Sequence, residues 1–352
     1  YDEISYYLTK VPYNNKIFIL YAKAINQILN NLYGNEIKII ILDLDNTLWG
    51  GIIGDIGWEN INIGGHNSLG ESYQDFQKYL KNLKEKGIVL AISSKNNEKI
   101  AIEAFSKNKQ MILSLSDFSN WKINWKNKSQ NIKEILNELN LNSSSAIFID
   151  DSKFEREEVK SKINDLMVLD MPYDKRLYKK TLQEANLFHF KKTTKEDKLR
   201  SNFYKTEKKR VKNKLNFNTN VEWLRSLKII MEVTKIKKEN IDRTLQLYNK
   251  TNQMNLTTCR KSKDDLNKFI KNTKNIFLVF SIKDNFGDYG LTGLLNLNIQ
   301  NNNAVLTDFI LSCRVFGREI EHNMINLIID ICKKREIKTI NLKYIKTEKN
   351  KI

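Results

Sequence analysis

Ile39-Ile40-Ile41-Leu42-Asp43-Leu44-Asp45-Asn46-Thr47-Leu48-Trp49-Gly50-Gly51 is an apolar run that ends abruptly in two carboxylates, a threonine and two glycines. Side chains alternate along a strand, so Asp43 and Asp45 can point the same way once the strand frays. Two acids at the tip of a buried strand are costly unless something pairs with them, and a metal ion and a phosphate together would do so.

Working outward from this stretch, apolar runs alternate with amphipathic ones from residue 37 to 170. The spacing predicts strands over 37–44, 87–93, 145–150 and 166–169, and helices over 69–86, 96–107, 128–140 and 153–163. Strands separated by helices of this length imply a doubly wound parallel sheet, whose site lies at the C-terminal strand ends. Residues 16–33 repeat apolar positions at helical spacing, behind a polar tail that carries Pro12. Pro172 and a Lys-rich segment mark a boundary, so the reading is a tail and helix over 1–35, a first domain over 36–172, a helical linker over 173–225 and a second domain over 226–352. The second domain reads as α+β. Its strands are expected at 228–234, 275–282, 289–297, 303–311 and 338–344, with helices at 238–250, 262–271 and 317–334.

Three further features occupy the first domain's strand tips. Ser94 closes an apolar run and opens a helix at Lys95-Asn96-Asn97, where a hydroxyl and free N–H groups suit a phosphate. Lys128 begins the next helix, where an ammonium can neutralise a transferring phosphoryl group. Asp150 and Asp151 end the run Ala146-Ile147-Phe148-Ile149. Singly these are ordinary caps and solvated charges; in the order Asp-x-Asp-x-Thr, Ser, Lys, Asp-Asp they resemble the haloacid dehalogenase (HAD) phosphatase superfamily. The resemblance implies Asp43 as nucleophile and Asp45 as general acid and base, with Thr47, Ser94, Lys95, Asn96 and Lys128 around the phosphate. It also implies Mg²⁺ held by Asp43, Asp150 and the carbonyl of Asp45, with Asp151 beside it or bound through water. Only a short Gly-rich excursion lies between Trp49 and Gly65, so no large cap covers the site and a macromolecule or a second domain is expected to hold the substrate.

A second constellation follows the strand predicted at 303–311. Ser312-Cys313-Arg314-Val315-Phe316-Gly317-Arg318 places a cysteine between strand and helix, and Arg314, Arg318 and the helix start favour its thiolate. Cys332, on an apolar helix face with Ile325, Ile328 and Ile329, reads instead as a core residue. His322, one of three histidines with His66 and His189, is a candidate base for Cys313, whereas His66, beside Gly64 and Gly65, reads as a loop histidine. The polar stretch Asn249 to Thr258 offers Asn252, Gln253, Asn255 and Thr257 to a polar ligand; a plain capped turn is the other reading.

Composition narrows the classes. The three cysteines suit a reducing cytoplasm and not a disulfide scaffold. No apolar run approaches the ~20 residues that span a bilayer, so no membrane association is expected. The chain of 352 residues starts with Tyr, from which a segment of something longer is expected. The net charge of +18 comes from Lys scattered along the whole chain among abundant Asn and Ile. The densest run, Lys191 to Lys214, is broken by Glu196, Asp197 and Glu207; it reads as a solvated helix face, then as a surface for an acidic protein, and last as a nucleic-acid contact.

Together the motifs resemble the FkbH-like family, from about residue 36 to the end. DLDNTLWGG (43–51), IGDIG (53–57), SKN (94–96), WKNKSQN (125–131) and IDD (149–151) match its HAD part; KTNQMNLTT (250–258), FGDYGLTG (286–293) and SCRVFGRE (312–319) match its acyltransferase-like part. Cys259 stands where the family usually has a basic residue, and the chain ends at TEKNKI where the family continues, so the second domain is expected to be truncated. The resemblance implies a capless HAD domain followed by an N-acetyltransferase-like domain. It implies an enzyme that takes 1,3-bisphosphoglycerate, removes both phosphates and loads glyceryl through a Cys313 thioester onto the phosphopantetheine thiol of an acyl carrier protein for polyketide synthesis. Such a protein works within a larger synthase or alone. A simple Mg²⁺-dependent phosphatase whose second domain only binds substrate is the alternative.

Overall fold

A computed structural model describes residues 2–25 except 12, 15 and 23, residues 37–188 except 66, and residues 206, 210, 213 and 214. It also describes 216–347 except 252, 253, 272–274 and 301, and residue 350. The basic run 191–214, His66, His189, Asn252 and Gln253 therefore lie wholly or mostly outside the described residues. The chain forms two compact units, Tyr1–Ile135 with Asn142–Thr193, and Leu136–Leu141 with Thr194–Ile352.

The first unit is built on strands β1 (Ile39–Leu42), β2 (Val89–Ser94), β3 (Asn120–Ile123), β4 (Ala146–Ile149) and β5 (Met167–Val168). They form one parallel sheet in the order β3-β2-β1-β4-β5. The four residues of β1 are fully buried, because a central parallel strand is covered on both faces. Between the strands run α1 (Ser68–Glu85), α2 (Glu98–Lys107), α3 (Lys128–Glu138) and α4 (Lys153–Lys162). In α1, Tyr73, Phe76, Gln77, Leu80 and Leu83 recur at three- and four-residue spacing and make the buried face. Asn67, Asn97 and Ser152 cap α1, α2 and α4 through their side chains.

Several elements depart from expectation: short helices form at Glu3–Thr9 in the segment read as a tail and at Ile53–Ile56 in the Gly-rich excursion. β3 was not predicted, since Asn120-Trp121-Lys122-Ile123 is a polar edge strand without an apolar run. The segment read as the start of a linker contains α5 (Tyr178–Glu184), whose Tyr178 and Leu182 are buried; Tyr178 meets Phe76 edge to face at 5.9 Å.

The second unit holds α6 (Asn220–Ser226), β6 (Ile230–Lys235), α7 (Ile241–Lys250), β7 (Met254–Asn255) and α8 (Lys263–Lys271). After them come β8 (Asn275–Asp284), β9 (Gly287–Gln300), β10 (Asn303–Leu311), α9 (Ile320–Lys334) and β11 (Thr339–Leu342). The sheet order is β11-β10-β9-β8-β6, with the unpredicted β7 added on β10. The meander β8-β9-β10 is antiparallel as expected, and β11 joins β10 in parallel. One face packs under Ile241, Leu247 and Tyr248 of α7 and Leu266 of α8; the other packs under Ile320, Met324, Ile328 and Cys332 of α9. Arg210 is buried in an ion pair with Asp284 at 3.0 Å.

Candidate active site

The backbone N–H of Asp43 donates to the Ile149 carbonyl at 3.0 Å, extending the β1–β4 pairing one residue beyond the strand. The chain then turns through Asn46, at φ 53, whose side chain accepts the Gly51 N–H at 3.0 Å. This turn leaves Asp43 and Asp45 at the sheet's C-terminal edge.

Asp43 is 6% exposed and Asp150 is fully buried. The Lys128 ammonium lies 2.9 Å from Asp43 Oδ1 and 2.5 Å from Asp150 Oδ2. Burial works against this ammonium, but the charges of Asp43 and Asp150 more than offset it and push its pKa up. Burial, followed by the charge of Asp43, pushes Asp150 up to about 7 despite Lys128. Asp151 is also raised by burial, with Lys175 Nζ 3.4 Å away pulling the other way. One carboxylate oxygen from each of Asp43, Asp150 and Asp151 lies within 4.8 Å of the others. Three hard oxygen donors so close, with one ammonium among them, fit a divalent cation such as Mg²⁺. The Asp45 carboxylate stands outside this group.

Asp45 has other partners. Its Oδ1 accepts from Trp49 Nε1 at 2.9 Å and from the Ile53 N–H at 3.2 Å, and its Oδ2 accepts from Asn96 Nδ2 at 2.8 Å. Burial still raises its pKa over these stabilising bonds. A carboxyl held in place and biased toward its protonated form suits a proton donor to a leaving oxygen.

The remaining residues of the first constellation fall as follows. Thr47 is fully buried and its hydroxyl has no hydrogen-bond partner among the described residues; Ser94 closes β2, 1% exposed. Asn96 spends its amide on Asp45. Lys95 is ion-paired with Glu155 at 2.7 Å, so its charge is already matched. Two contributors were given no role from sequence. Arg156 donates to the carbonyls of Asp150 and Asp151, at 2.9 and 2.8 Å, and so fixes the turn that carries both acids. Trp49 orients Asp45; a lone indole four residues after an acid was the available signal.

In the second unit, Cys313 opens a one-turn 3₁₀ helix, Cys313–Val315, capped by Ser312, and is half-buried. Arg314 neighbours it along this turn, while Arg318 is buried with its guanidinium 4.7 Å from the Tyr289 ring centre. His322 is exposed on α9, and no hydrogen bond joins it to Cys313. Cys332 is buried in the core as expected, and burial pushes its thiol pKa up. The Asn255 amide is taken up by the fold: Nδ2 donates to the Thr251 carbonyl and Oδ1 accepts the Thr258 N–H. Thr257 is buried nearby. Sequence reasoning passed over Asp308, a buried carboxylate in β10 that accepts from Thr307 Oγ1 at 2.9 Å and Asn296 Nδ2 at 3.1 Å. An acid inside the apolar run Val305–Leu311 was the visible signal.

Residues 27–162 match the haloacid dehalogenase-like hydrolase family. The N-terminal part of protein BF1531 from Bacteroides fragilis, containing a phosphatase domain and complexed with Mg, is 38% identical with a TM-score of 0.51. The match covers 54% of this chain and half of that one. The chain also matches the ribosomal-protein-S18-alanine N-acetyltransferase from Escherichia coli at 10% identity and TM-score 0.27, over 32% of this chain and 66% of that one. The PaiA N-acetyltransferase from Thermoplasma acidophilum, in complex with coenzyme A, matches at 19% identity and TM-score 0.27, over 34% and 82%. No curated protein matches the chain. Among the described residues no helix is long and apolar enough to cross a membrane.

Proposed function

We propose that the chain is a two-site enzyme that takes the three-carbon unit of 1,3-bisphosphoglycerate, removes both phosphates and passes glyceryl to an acyl carrier protein for polyketide synthesis. The observation that carries the phosphatase half is the cluster of buried Asp43, Asp150 and Lys128 with the partly exposed Asp151, and the separately held Asp45 near it. The transferase half rests on Cys313 at a strand end and on the motifs around it.

The two phosphates pose different problems. The C1 phosphate is an acyl anhydride: the Cys313 thiolate attacks the carbonyl carbon, the bond to the phosphate oxygen breaks, inorganic phosphate leaves and a thioester remains. The thiol of the carrier's phosphopantetheine then displaces Cys313. The C3 phosphate is an inert monoester. There an oxygen of Asp43 attacks phosphorus, the alcohol leaves with the proton of Asp45, and Asp45 next takes a proton from the water that hydrolyses the aspartyl phosphate. Mg²⁺ held by Asp43, Asp150, Asp151 and the Asp45 carbonyl would supply neutralising charge, and Lys128 adds its own. Acyl carriers are typically acidic, which gives the net charge of +18 a role. The free thiols Cys259, Cys313 and Cys332 suit a reducing compartment such as the cytoplasm.

Intact-mass analysis after incubation with 1,3-bisphosphoglycerate, with and without a carrier protein, tests this reading. A covalent acyl adduct on Cys313 that moves to the carrier is expected. Phosphate release with no adduct on either protein would leave only a Mg²⁺-dependent phosphatase whose second domain binds substrate.

A further inference from the structure

α4 grows directly out of the acidic turn: its cap, Ser152, follows Asp151, and the Ser152 N–H donates to Asp150 Oδ1 at 2.8 Å. Three side chains in the first two turns of α4 reach back to the strand tips. Glu155 accepts from Lys95 at 2.7 Å, and Arg156 donates to the carbonyls of Asp150 and Asp151. Glu158, half-buried, reaches the start of α3. Its Oε1 accepts from Ser129 Oγ at 2.6 Å, and its Oε2 accepts the Ser129 N–H at 3.2 Å.

The Ser129 N–H is one of the first four of α3, which find no partner inside their own helix. A carboxylate there also meets the positive end of the helix dipole. Helix starts are ordinarily capped by the residue just before them. This carboxylate comes instead from α4, 29 positions along the chain. Ser129 is 4% exposed, and the residue before it is Lys128. The clamp therefore fixes the backbone from which the ammonium extends, while Arg156 on the same helix fixes the turn of Asp150. Both ends of the Lys128–Asp150 contact are tied to α4.

Before reaction two carboxylates hold the Lys128 ammonium, Asp43 at 2.9 Å and Asp150 at 2.5 Å. When an Asp43 oxygen bonds phosphorus, the leaving oxygen departs with the proton of Asp45, and the Asp43 carboxylate becomes an acyl phosphate. One anchor of the ammonium is then gone, yet the phosphoryl charge stays until water displaces the Asp43 oxygen and gives Asp45 its proton. A flexible four-carbon side chain with one anchor left depends on where its backbone is held.

We infer that Glu158 is a positioning residue for Lys128, acting through Ser129 to keep the ammonium at the phosphoryl group while the aspartyl phosphate is hydrolysed. This rests on the function proposed above and deepens its phosphatase half.

The full chain with Mg²⁺ and an aryl phosphate tests it, because a good leaving group makes hydrolysis of the aspartyl phosphate the slow step. Glu158→Ala should lower kcat about tenfold and KM with it, leaving kcat/KM within about twofold of the wild type. Acid-quenched Glu158→Ala protein should carry more of an adduct one phosphoryl group heavier, on Asp43, than the wild type does. Glu158→Gln, whose amide oxygen can still accept the Ser129 N–H, should recover most of kcat. Ser129→Ala, which keeps the N–H and loses the hydroxyl, should fall between and decides the matter if Glu158→Ala does not fold. Variants that melt lower but turn over at the wild-type rate would make the clamp a helix cap and overturn the inference. A fall in kcat/KM as large as that in kcat would also overturn it, by placing the damage before the aspartyl phosphate forms. No phosphate release by the wild type would defeat the functional reading itself, and this inference with it.

Discussion

The tips of β1 and β4 and the tip of β10 are both strand ends that carry a reactive side chain, yet they are built in opposite ways. The first is crowded: three carboxylates share a pocket with Lys128, Asp45 has three donors of its own, and Arg156 holds the turn behind them. The second is sparse: Cys313 sits half-buried on a single 3₁₀ turn with Arg314 beside it, and His322 makes no hydrogen bond to it. The difference matches the bonds to be broken. A phosphate monoester needs charge and proton transfer organised in advance, whereas an acyl phosphate is already activated and asks for little more than a thiolate in reach.

The largest expected effects would break this comparison if they failed to separate. Asp43→Asn should lower phosphate release from the C3 monoester by about a thousandfold or more, since an amide cannot serve as the nucleophile. Asp45→Asn should cost about a hundred- to ten-thousandfold by removing the proton shuttle. Neither should change acylation of Cys313. Steady-state phosphate release and acyl loading, measured on the same preparations, check both; a parallel loss of loading would mean that the sites are not independent.

Next in size is the cost of the crowded site to the fold. Lys128→Met leaves Asp43 and Asp150 without their ammonium, and should destabilise the metal-free protein by about 3–5 kcal/mol. Mg²⁺ should then raise the melting temperature of the variant more than that of the wild type. An equal rise in both would show that the cation does not bind among these carboxylates.

The pH dependence sharpens the same point. Asp150, pushed up to about 7 from its ordinary 3.8, keeps its proton in the metal-free fold where an unfolded chain would lose it. Its contribution to stability is therefore complete below the ordinary value and is lost as pH rises through about 7. Mg²⁺ displaces that proton, so Mg²⁺ affinity should rise about tenfold per pH unit up to about 7 and level off above it. Calorimetry in buffers of different ionisation enthalpy would show the released proton; an affinity that is flat from pH 5 to 8 would contradict this account.

The smallest effects concern the thiols. Cys332→Ser buries a hydroxyl in the α9 core and should cost about 1–3 kcal/mol with catalysis intact. Cys313→Ala should change stability by no more than about 0.5 kcal/mol and abolish the adduct. Thermal melts beside adduct formation separate the two roles.

How much of this was legible depended on how local the determinants are. Asp43, Lys128, Asp150 and Asp151 could be read because each ends or begins an apolar or amphipathic run, and a parallel sheet gathers such ends on one edge. The fold of the first unit followed from the same alternation. β3 escaped because a polar edge strand carries no apolar run; α5 lies in the segment read as a helical linker, and its buried face was masked by Lys-rich neighbours. What Asn96 and Lys95 do was out of reach, since their partners Asp45 and Glu155 lie 51 and 60 positions away. Both residues were expected at the phosphate; one holds the acid and the other is paired. Asp308 was hidden for a different reason. A single acid in a strand looks like a solvated face until Asn296 and Thr307 are seen to donate to it.

The central claim is that two chemically distinct centres share the work, the thiol taking the acyl group and the aspartate the monoester. Intact-mass measurement of the Asp43→Asn protein after incubation with 1,3-bisphosphoglycerate tests it most directly. The account predicts one covalent adduct, on Cys313, heavier than a glyceryl thioester by one phosphoryl group and absent from the Asp43→Asn, Cys313→Ala double variant. An Asp43→Asn protein that stays unmodified, or a double variant that still loads the carrier at the normal rate, would contradict it.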